Sequence, residues 1–515
     1  MKTISSVNMK KQTFTLTHFL FLLILLLIHP AKVLSQDFEI IAPNPELEGE
    51  GEYEGDQKTG LWHYLDQDSL ILESGHYDQG QRTGTWTFFE NGGLLIAEVN
   101  YDTLFYTGYF PIGQISERGH ITPDFEKTGE WTFYHTTGNR WAEGMFEQDE
   151  RTGLWMHWYP DGQKWAEVPM EEGLSRSWYP DGTLEIKGRI AGGMRNGIWE
   201  FYHQNGRLRE KSHYVSGKKD GPSTLYYETG IKEFEGHFKD NLLHGYSKWY
   251  YDDGIMEMEG RSIKDVQDST WVFYYTNGNI SSTGDFVNGK EEGVWTFYYI
   301  SGEKLRQGPM QQGKRTGEWT TWYTTGKVSH KGPFKNDQEH GVWTSWYENG
   351  QKEDQGTFNM GVMDEVWEGW FENGRQRYRV IYRNGERHGL SVHWYQNGNR
   401  RQEAIYNEGI RHGERKQWHE NGNLAEEGYY TNGKREGRWT FYDDAGVKHR
   451  EQEFSENRPQ GRLVTFYPNG QKQQEGQYQD GRRHGRWTFW DDRGRRIRQM
   501  EFENGRKVSE RDFTN

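Results

Sequence analysis

The stretch "NGKREGRWTFYDDAG", residues 432–446, returns with small changes along most of the chain. Its last glycine belongs to a series with a constant interval of 24 residues, and such a period is typical of repeat architectures. The series is Gly182, Gly206, Gly230, Gly254, Gly278, Gly302, Gly326, Gly350, Gly374, Gly398, Gly422, Gly446, Gly470 and Gly494. With Gly437 as position 1 of its repeat, fourteen regular repeats begin between residues 173 and 485. Looser copies begin at 60, 84, 104, 129 and 153, so nineteen repeats are present.

Each repeat carries two turn signals. Position 10 is Gly in all fourteen regular repeats, and in nine of them Asn or Asp precedes it, a dipeptide that accepts positive φ at both turn positions. Position 21 is always Gly, Asn or Asp, the residues that tolerate the left-handed region. The repeat therefore reads turn, strand, turn, strand, which predicts about 38 strands that pair with their sequence neighbours. The predicted fold class is all-β, an elongated single-layer antiparallel sheet of β-hairpin repeats.

Aromatic side chains supply the burial that this sheet needs. Only 33% of residues are hydrophobic, a composition that leans toward disorder. However, 16% of residues are aromatic, and large rings bury much surface each. Position 6 is aromatic in all fourteen regular repeats, and position 3 is Trp in eight. The absence of Cys excludes disulfides and thiolate sites.

The net charge of −15 argues against nucleic acid as a partner. The charge is unevenly distributed along the chain. Residues 1–370 hold 34 Lys and Arg against 55 Asp and Glu, whereas residues 371–515 hold 28 against 22. Opposite charges in the two portions permit head-to-tail association.

The N-terminus has the features of an export signal. Lys2, Lys10 and Lys11 precede the apolar run "FLFLLILLLI", residues 19–28, and Ser35 offers a small residue for cleavage. The run is half of the roughly 20 residues that a membrane span needs, so a cleaved signal is favoured over an uncleaved anchor. The mature chain is then exported, to the periplasm, the cell surface or the medium, without an integral membrane span.

These patterns predict five segments in the chain. They are a signal peptide at 1–35, an N-terminal lead-in with a capping half-repeat at 36–59, irregular repeats at 60–172, fourteen regular repeats at 173–508, and a C-terminal tail at 509–515.

The sequence lacks the common catalytic motifs. The nucleotide-binding, nucleophile-elbow and zinc-protease patterns do not occur in the sequence. Histidines recur before position 1, as at His340 and His388, but adjacent repeats would hold them about 10 Å apart, too far to share one zinc ion. Acidic neighbours such as Glu426 and Glu427 suit a solvated edge better than a glycosidase pocket. We predict no catalytic residues, no metal site and no cofactor.

Two sets of residues are candidates for binding. Position 6 is Trp in five consecutive repeats, which gives either a platform for sugar, peptide or protein or a packed column. This set is Trp322, Trp346, Trp370, Trp394 and Trp418. In these repeats position 5 is small or polar, which suggests that packing volume is conserved between positions 5 and 6. A basic C-terminal stretch is the second candidate, for an anionic partner, with an ordinary mixed surface as the alternative. Its residues are Arg482, Arg483, Arg486, Arg495 and Arg496.

The segments "GQYQDGRRHGRWTFW" (476–490) and "GDFVNGKEEGVWTFYYISG" (284–302) resemble the MORN repeat in its bacterial variant form. The shared pattern is G-x-[YF]-x-x-G-x-x-x-G-x-W-x-x-[YW], and it covers about residues 48–508. The chain departs from it at position 3, which is Ser175, Ser223, Ser247, Ser391, Arg415 or Leu463 in six repeats. The resemblance implies a sheet of hairpins with a groove that serves protein contacts or lipid contacts. Many bacterial relatives carry the label of antitoxin or immunity component.

Together these features predict a non-catalytic, exported repeat scaffold that binds protein, or another part of the cell envelope, along an extended sheet groove. An antitoxin or immunity protein that neutralises one toxin is the first alternative. A surface protein that binds envelope glycan or lipid is the second alternative. A carbohydrate-active enzyme is disfavoured, because no insertion between repeats offers a pocket.

Overall fold

A computed structural model describes residues 39–90 and 93–513 of the chain. The predicted signal peptide, residues 1–35, lies outside the described residues. Within the described ranges every regular element is a β-strand, and the strands form an antiparallel sheet of 44 members. The chain divides into two compact units, one that ends at Asn196 and one that begins at Gly197. No helix in the described part of the chain has the length and apolar character needed to cross a membrane.

The strands of the first unit are β1 (Gly49–Glu54), β2 (Gln57–Leu65), β3 (Ile71–Asp78), β4 (Gln81–Glu90), β5 (Leu94–Asn100), β6 (Phe105–Tyr109), β7 (Ile115–Ile121), β8 (Lys127–Tyr134), β9 (Arg140–Glu147), β10 (Glu150–Trp158), β11 (Lys164–Pro169), β12 (Glu172–Trp178) and β13 (Leu184–Ala191). The next strand, β14 (Met194–Tyr202), contains the boundary between the two units.

The strands of the second unit are β15 (Leu208–Val215), β16 (Lys218–Tyr226), β17 (Lys232–Lys239), β18 (Leu242–Leu243), β19 (Gly245–Tyr250), β20 (Met256–Ile263), β21 (Val266–Tyr274), β22 (Ile280–Val287), β23 (Lys290–Tyr298), β24 (Lys304–Gln311), β25 (Lys314–Arg315), β26 (Gly317–Trp322), β27 (Val328–Lys335), β28 (Gln338–Glu339), β29 (Gly341–Trp346), β30 (Lys352–Asn359), β31 (Val362–Trp370), β32 (Gln376–Arg383), β33 (Glu386–Arg387), β34 (Gly389–Trp394), β35 (Arg400–Asn407), β36 (Ile410–Trp418), β37 (Leu424–Thr431), β38 (Lys434–Tyr442), β39 (Lys448–Ser455), β40 (Arg458–Phe466), β41 (Lys472–Gln479), β42 (Arg482–Trp490), β43 (Arg496–Glu503) and β44 (Arg506–Asp512).

Strands that follow one another along the chain pair side by side, as in β22 with β23 and β23 with β24. The fold class predicted from the 24-residue period is confirmed: an all-β antiparallel sheet of repeated hairpins. The two-residue strands β18, β25, β28 and β33 each continue into the strand that follows, so β2 to β43 amount to the two strands per repeat that the sequence predicts. β1 lies in the predicted lead-in, and β44 crosses the predicted start of the C-terminal tail.

The two turns of the repeat differ from one another. At positions 20 and 21 both residues have positive φ, as in Asn432 (49°) and Gly433 (80°), the geometry of a two-residue hairpin turn. At positions 9 and 10 only the glycine does, so the expectation of positive φ at both residues is wrong there. Asn349 shows what the preceding residue does instead: its Oδ1 accepts the N–H of Gln351 at 2.8 Å, and its Nδ2 donates to the carbonyl of Glu372 in the next repeat at 3.0 Å.

A bulge at position 1 opens the sheet for the tryptophan at position 3. In the pair β22–β23, Thr283 lies opposite Thr296 and Asp285 lies opposite Glu292, so three residues of β23 face one residue of β22. The first of the three, Gly293, has a φ of 70°. This explains the glycine at position 1, which the left-handed region favours. Two regular repeats place a side chain there, Ser269 at 60° and Glu365 at 57°.

The indole of position 3 packs flat on the glycine at position 16 of the preceding repeat. A Cβ atom on Gly284 would lie 2.3 Å from the Trp295 ring, and one on Gly308 would lie 2.3 Å from the Trp319 ring. The indole N–H of Trp295 also donates to the carbonyl of Asp285 at 3.1 Å. In an equivalent repeat this carbonyl, that of Pro333, accepts both the indole N–H of Trp343 and the backbone N–H of His340. We call the face of the sheet that carries these residues the core face, and the opposite one the outer face.

In several repeats where position 3 is not Trp, its partner at position 16 is not Gly either, although Gly236 remains beside Ser247. Ser223 lies opposite Ser212, with their hydroxyl oxygens 2.6 Å apart, and Leu463 lies opposite Gln452. The two positions therefore vary together in these repeats, and the core face there is packed by other side chains than an indole on a glycine.

In the first unit, residues of the lead-in cover part of the core face. Its buried cluster includes Trp86 and Trp131, both fully buried, and residues of the lead-in pack against it, among them Ile40 and Leu47. The N–H of Asn44 donates to the carboxylate of Glu73 at 2.8 Å, which ties the lead-in to β3. In the second unit the core face consists of shorter clusters, the longest built on Trp271, Trp295 and Trp319.

Substitution Gly284→Ala should destabilise the sheet by about 1–3 kcal/mol, because the added methyl overlaps the Trp295 ring. Trp295→Leu should also be destabilising, because it removes buried surface. The double variant should lose less than the sum of the two, since leucine leaves room for the methyl. Urea unfolding of the chain without residues 1–35 measures all three, and strictly additive losses would contradict the packing described.

Substitution Ser269→Gly should stabilise the chain by about 1 kcal/mol, because glycine accepts the positive φ of position 1 at less cost than serine. Gly293→Ser, at the same position of the next repeat, should destabilise it by a similar amount. The shift of the urea midpoint is the readout. Equal midpoints for both variants and the parent would show that the bulge carries no backbone strain.

Candidate binding surfaces

The five tryptophans of the predicted ladder lie on the outer face, each at the last residue of its strand and directly after a register shift, as at Thr321 and Trp322. All five are half-buried. None of them makes a ring contact with another aromatic residue of the described chain. The core-face column differs, because Trp271, Phe273 and Trp295 follow one another with ring centroids 6.1 and 6.3 Å apart. Packing therefore belongs mainly to position 3, and the platform at position 6 stays a prediction.

Lysines from neighbouring strands lie over the outer-face indoles. Lys304 Nζ is 5.9 Å from the ring centre of Trp322, and Lys352 Nζ is 5.3 Å from that of Trp370. Lys352 also lies directly opposite Trp346 in the strand pairing, so it stands between two indoles of the ladder. The outer face thus repeats an aromatic ring next to a cation, a combination found at protein interfaces.

In repeats with Tyr at position 6, the side chain at this position can form a hydrogen bond within the sheet. The Tyr250 hydroxyl donates to Glu235 Oε1 at 2.8 Å, and the Tyr274 hydroxyl donates to Glu259 Oε1 at 2.7 Å. Burial, together with such a carboxylate, raises the pKa of the tyrosine, as in Tyr442 beside Glu427, where it reaches about 12. Tyr202, Tyr250, Tyr274 and Tyr442 each donate to a carboxylate of the sheet from this position, whereas no side chain of the described residues accepts a hydrogen bond from a ladder indole.

Hydrogen bonds between repeats fix the backbone under the ladder. The hydroxyl of Tyr323, at position 7, donates to the carbonyl of Trp346 at 2.7 Å, and that of Tyr347 donates to the carbonyl of Trp370 at 3.0 Å. Each bond joins residues 23 apart in sequence. Because each of these tyrosines links its own repeat to the next one, the bonds hold the neighbouring ladder positions at a fixed separation.

The small residues at position 5 have their partners on the core face, and position 6 does not compensate for them. A Cβ on Gly369 would meet the Tyr378 ring at 2.3 Å and Asp354 Oδ1 at 2.7 Å. Position 5 thus exchanges volume with position 14 on the same face. The expected exchange between positions 5 and 6 is wrong here, since a strand presents these neighbours on opposite sides.

The five arginines of the predicted basic patch are spread over different surfaces. Arg483 lies over the Trp487 ring at 4.3 Å on the core face, whereas Arg486, next to Trp487 in the strand, points to the other side. Arg495 pairs with Asp491 at 2.8 Å in a turn, and Arg496 lies 5.4 Å from the Phe513 ring. Arg482 is exposed at the start of β42. A common anionic partner for this set stays a prediction.

A polar cluster on the core face was not identified from the sequence. Asp354 Oδ1 accepts hydrogen bonds from Arg377 Nη2 and from the Tyr378 hydroxyl, both at 2.7 Å. Burial and this carboxylate raise the pKa of Tyr378. The sequence does show polar residues in place of apolar ones at position 14 of these repeats. The sequence alone, however, gives no strand register, so it does not show on which face of the sheet position 14 lies.

One buried histidine of the first unit stands apart from the hydrogen-bond network. His157 is fully buried beside Trp155, and neither of its ring nitrogens has a hydrogen-bond partner. Burial, with a smaller contribution from Arg151, lowers the pKa of His157 to about 4. It occupies position 5, where Phe133 stands in the neighbouring repeat.

The described residues contain no group of three or more metal-ligating side chains close enough to hold an ion. The best-defined depressions of the described surface are shallow; one is lined by Tyr467, Pro468 and Asp491, and the other by Glu172 and Arg189. Extended faces, and not these depressions, offer the larger contact area.

Ten segments of the chain match a protein-family model described as the MORN repeat variant. They are residues 127–148, 195–216, 219–240, 243–264, 267–288, 315–336, 339–360, 387–408, 411–432 and 459–480. Each match begins near position 23 of one 24-residue repeat, or near the equivalent position of an irregular repeat. It then includes the bulge and both strands of the next repeat.

No curated protein matches the chain. Solved structures that resemble it include a TcdB2-TccC3-Cdc42 crystal structure, at 10% identity, 87% of this chain, 30% of that chain and a TM-score of 0.13. A second is the Photorhabdus luminescens Tc holotoxin pore, at 11% identity, 88% of this chain, 30% of that chain and a TM-score of 0.15. The chain spans about a third of the length of these structures, and at such scores the likeness carries no functional argument.

Acid should destabilise the first unit through His157. Its pKa is about 4 in the fold and about 6.5 in the unfolded chain, so the unfolded state binds the proton more readily. Stability is therefore complete above pH 6.5 and falls by up to about 3 kcal/mol as the pH drops to 4. In His157→Phe, which restores the residue of the neighbouring repeat, this part of the pH dependence should vanish. Hydrogen exchange of β9 to β11 measures it, and identical pH profiles would contradict the assignment.

Proposed function

Because this chain belongs to the MORN repeat variant family, we propose that it is a non-catalytic scaffold that binds other proteins along its sheet. The observation that carries the proposal is the outer-face ladder of the second unit. There the same half-buried indole returns every 24 residues on a backbone held by hydrogen bonds between repeats, and a lysine lies over two of the five rings, Trp322 and Trp370. A rigid array of equal sites suits an extended partner, and the ordered side chains lower the entropy cost of binding.

The chemistry of the ladder favours protein as the partner. Trp residues are enriched in interface hot spots, where a ring fills a dry contact and polar groups surround it. Trp346, Trp370 and the intervening Lys352 provide this combination within two repeats. The same unstacked rings also suit sugar stacking, which supports envelope glycan as the alternative ligand.

We also propose that the scaffold works outside the cytoplasm. The support is the N-terminal sequence alone, with Lys10 and Lys11 before an apolar run and Ser35 after it. In this setting an immunity role requires a toxin that acts outside the cytoplasm as well.

Capture of partners from the periplasm and medium of the native host tests the proposal, with the chain without residues 1–35 as bait. The double variant Trp346→Ala with Trp370→Ala should lose most of the captured material, because it removes two adjacent ladder rings. The control is Trp178→Ala with Trp490→Ala, which changes the same repeat position far from the ladder and should retain capture. Thermal unfolding of both variants shows that the fold survives.

The nature of the captured material distinguishes the alternatives. Several envelope proteins, lost with the ladder variant, support the scaffold. One dominant toxin-like protein at high affinity supports the immunity role, and rescue of cells that express this toxin would establish it. Retention of every partner by the ladder variant would show that binding occurs elsewhere on the chain.

A further inference from the structure

The core face changes character between β33 and β37. Two successive repeats there have no Trp at position 3, which is Ser391 in one and Arg415 in the other. In place of two indoles, this part of the face carries alternating tyrosines and arginines from positions 18 and 23. We call this set the Tyr–Arg ladder, and it consists of Tyr382, Arg387, Tyr406, Arg411 and Tyr430.

Two guanidinium groups of the ladder meet at one hydroxyl. Arg387 Nη1 lies 3.5 Å from the Tyr406 hydroxyl oxygen, and Arg411 Nε lies 3.4 Å from the same atom. Tyr406 is buried, with 7% of its surface exposed, and both arginines are half-buried. The two cations are therefore held close together in partly desolvated surroundings, where their repulsion is stronger than in water.

In three repeats elsewhere on the core face, a cation at position 23 has an internal counter-ion at position 14. Arg82 pairs with Glu73 at 2.7 Å, and Lys219 pairs with Glu210 at 2.6 Å. One repeat beyond the ladder, Glu426 forms ion pairs with two arginines. It lies 3.5 Å from Arg435, and it also binds Arg415. A carboxylate at position 14 is thus one way in which this sheet neutralises such a cation. In other repeats the cation lies over the Trp at position 3, as Arg483 lies over Trp487.

The Tyr–Arg ladder lacks this counter-ion. Position 14 is Gln402 in the repeat of Arg411, and Tyr378 in the repeat of Arg387. Within the described residues, no carboxylate forms an ion pair with Arg387 or Arg411. The neighbouring carboxylates of this face, Asp354 and Glu426, are already bound by other arginines.

Two neighbouring groups respond to this positive surrounding. Burial, together with the charges of Arg401 and Arg387, lowers the pKa of His393 to about 4. Burial alone would raise the pKa of Tyr406, yet the hydrogen bonds and charges of Arg411 and Arg387 lower it. Both shifts have the sign that an unneutralised pair of cations produces.

We propose that the Tyr–Arg ladder binds a carboxylate of an acidic segment in a partner protein, which takes the place that Glu426 and Glu210 fill in other repeats. The inference rests on the proposed function as a protein-binding scaffold and assigns the chemistry of one partner contact. The two arginines offer charge-assisted hydrogen bonds in partly desolvated surroundings, where such bonds are strong. A carboxylate is the ligand that the sheet itself places beside the equivalent cations Arg82, Lys219 and Arg435.

A fluorescein-labelled decaglutamate peptide is the probe, and decaglutamine is its neutral counterpart. The chain without residues 1–35 should bind decaglutamate and not decaglutamine in fluorescence anisotropy. Arg387→Gln with Arg411→Gln should weaken binding at least tenfold. The control with equal loss of charge is Arg438→Gln with Arg462→Gln, at exposed position 2 of two other repeats, and it should bind as the parent does.

Gln402→Glu provides the sharper test, because it supplies the missing carboxylate from within the chain. This variant should lose decaglutamate binding at least tenfold while its thermal midpoint is unchanged or higher, so loss of binding cannot be attributed to unfolding. The control Gln474→Glu places the same charge at position 14 beside Arg483 and should retain binding.

Several results would overturn the assignment. One is a Gln402→Glu variant that binds decaglutamate as tightly as the parent. Another is binding of inorganic phosphate or of phosphatidylglycerol vesicles through Arg387 and Arg411 without binding of decaglutamate, which would assign the ladder to phosphate groups. A chain that captures partners through Trp346 and Trp370 but ignores decaglutamate would overturn this inference alone. Decaglutamate binding without any captured partner would instead count against the scaffold.

Discussion

The contact between the indole at position 3 and the bare glycine at position 16 is the constraint on which the sheet depends. A single layer of strands has no second layer to bury its side chains, so each large ring must find cover within the layer itself. In Trp295 the ring lies flat on Gly284, the bulge at Gly293 supplies the room, and the carbonyl of Asp285 accepts the indole N–H. The glycines of the repeat thus serve packing as much as turns.

Cohesion between repeats comes from polar groups that reach one repeat ahead. Tyr323 at position 7 and Asn349 at position 9 each donate to a carbonyl of the next repeat, 23 residues on. Both act only between nearest neighbours, as in other repeat proteins, where stability is a sum over repeats and their interfaces. Local substitutions should therefore have local consequences, and a binding site can be altered without loss of the whole sheet.

Chemistry enters this sheet where the repeat departs from its own rule. Loss of Trp at Ser391 and Arg415 leaves a stretch of core face with arginines and tyrosines, and the small residue Gly369 admits Tyr378 and Asp354. Most repeats share one framework, and those that depart from it differ from one another in the charge and shape of their side chains. This division suits a scaffold, in which a common geometry presents local differences in charge and shape.

The sequence by itself determined the period, the alternation of turns and strands and the all-β class, because glycine spacing and Asn–Gly pairs act over a few residues. It also supplied the aromatic columns at positions 3 and 6. Only the tertiary structure decided which column is packed, since the bulges at position 1 and after position 5 set the register and so the face of each side chain. The ion pairs of Glu210 and Glu426, and their absence at Arg387 and Arg411, likewise depend on that register. Strand pairing brings together residues that are distant in sequence, and no local sequence pattern shows which residues these are. Charges on a sheet are neutralised by such cross-strand pairs.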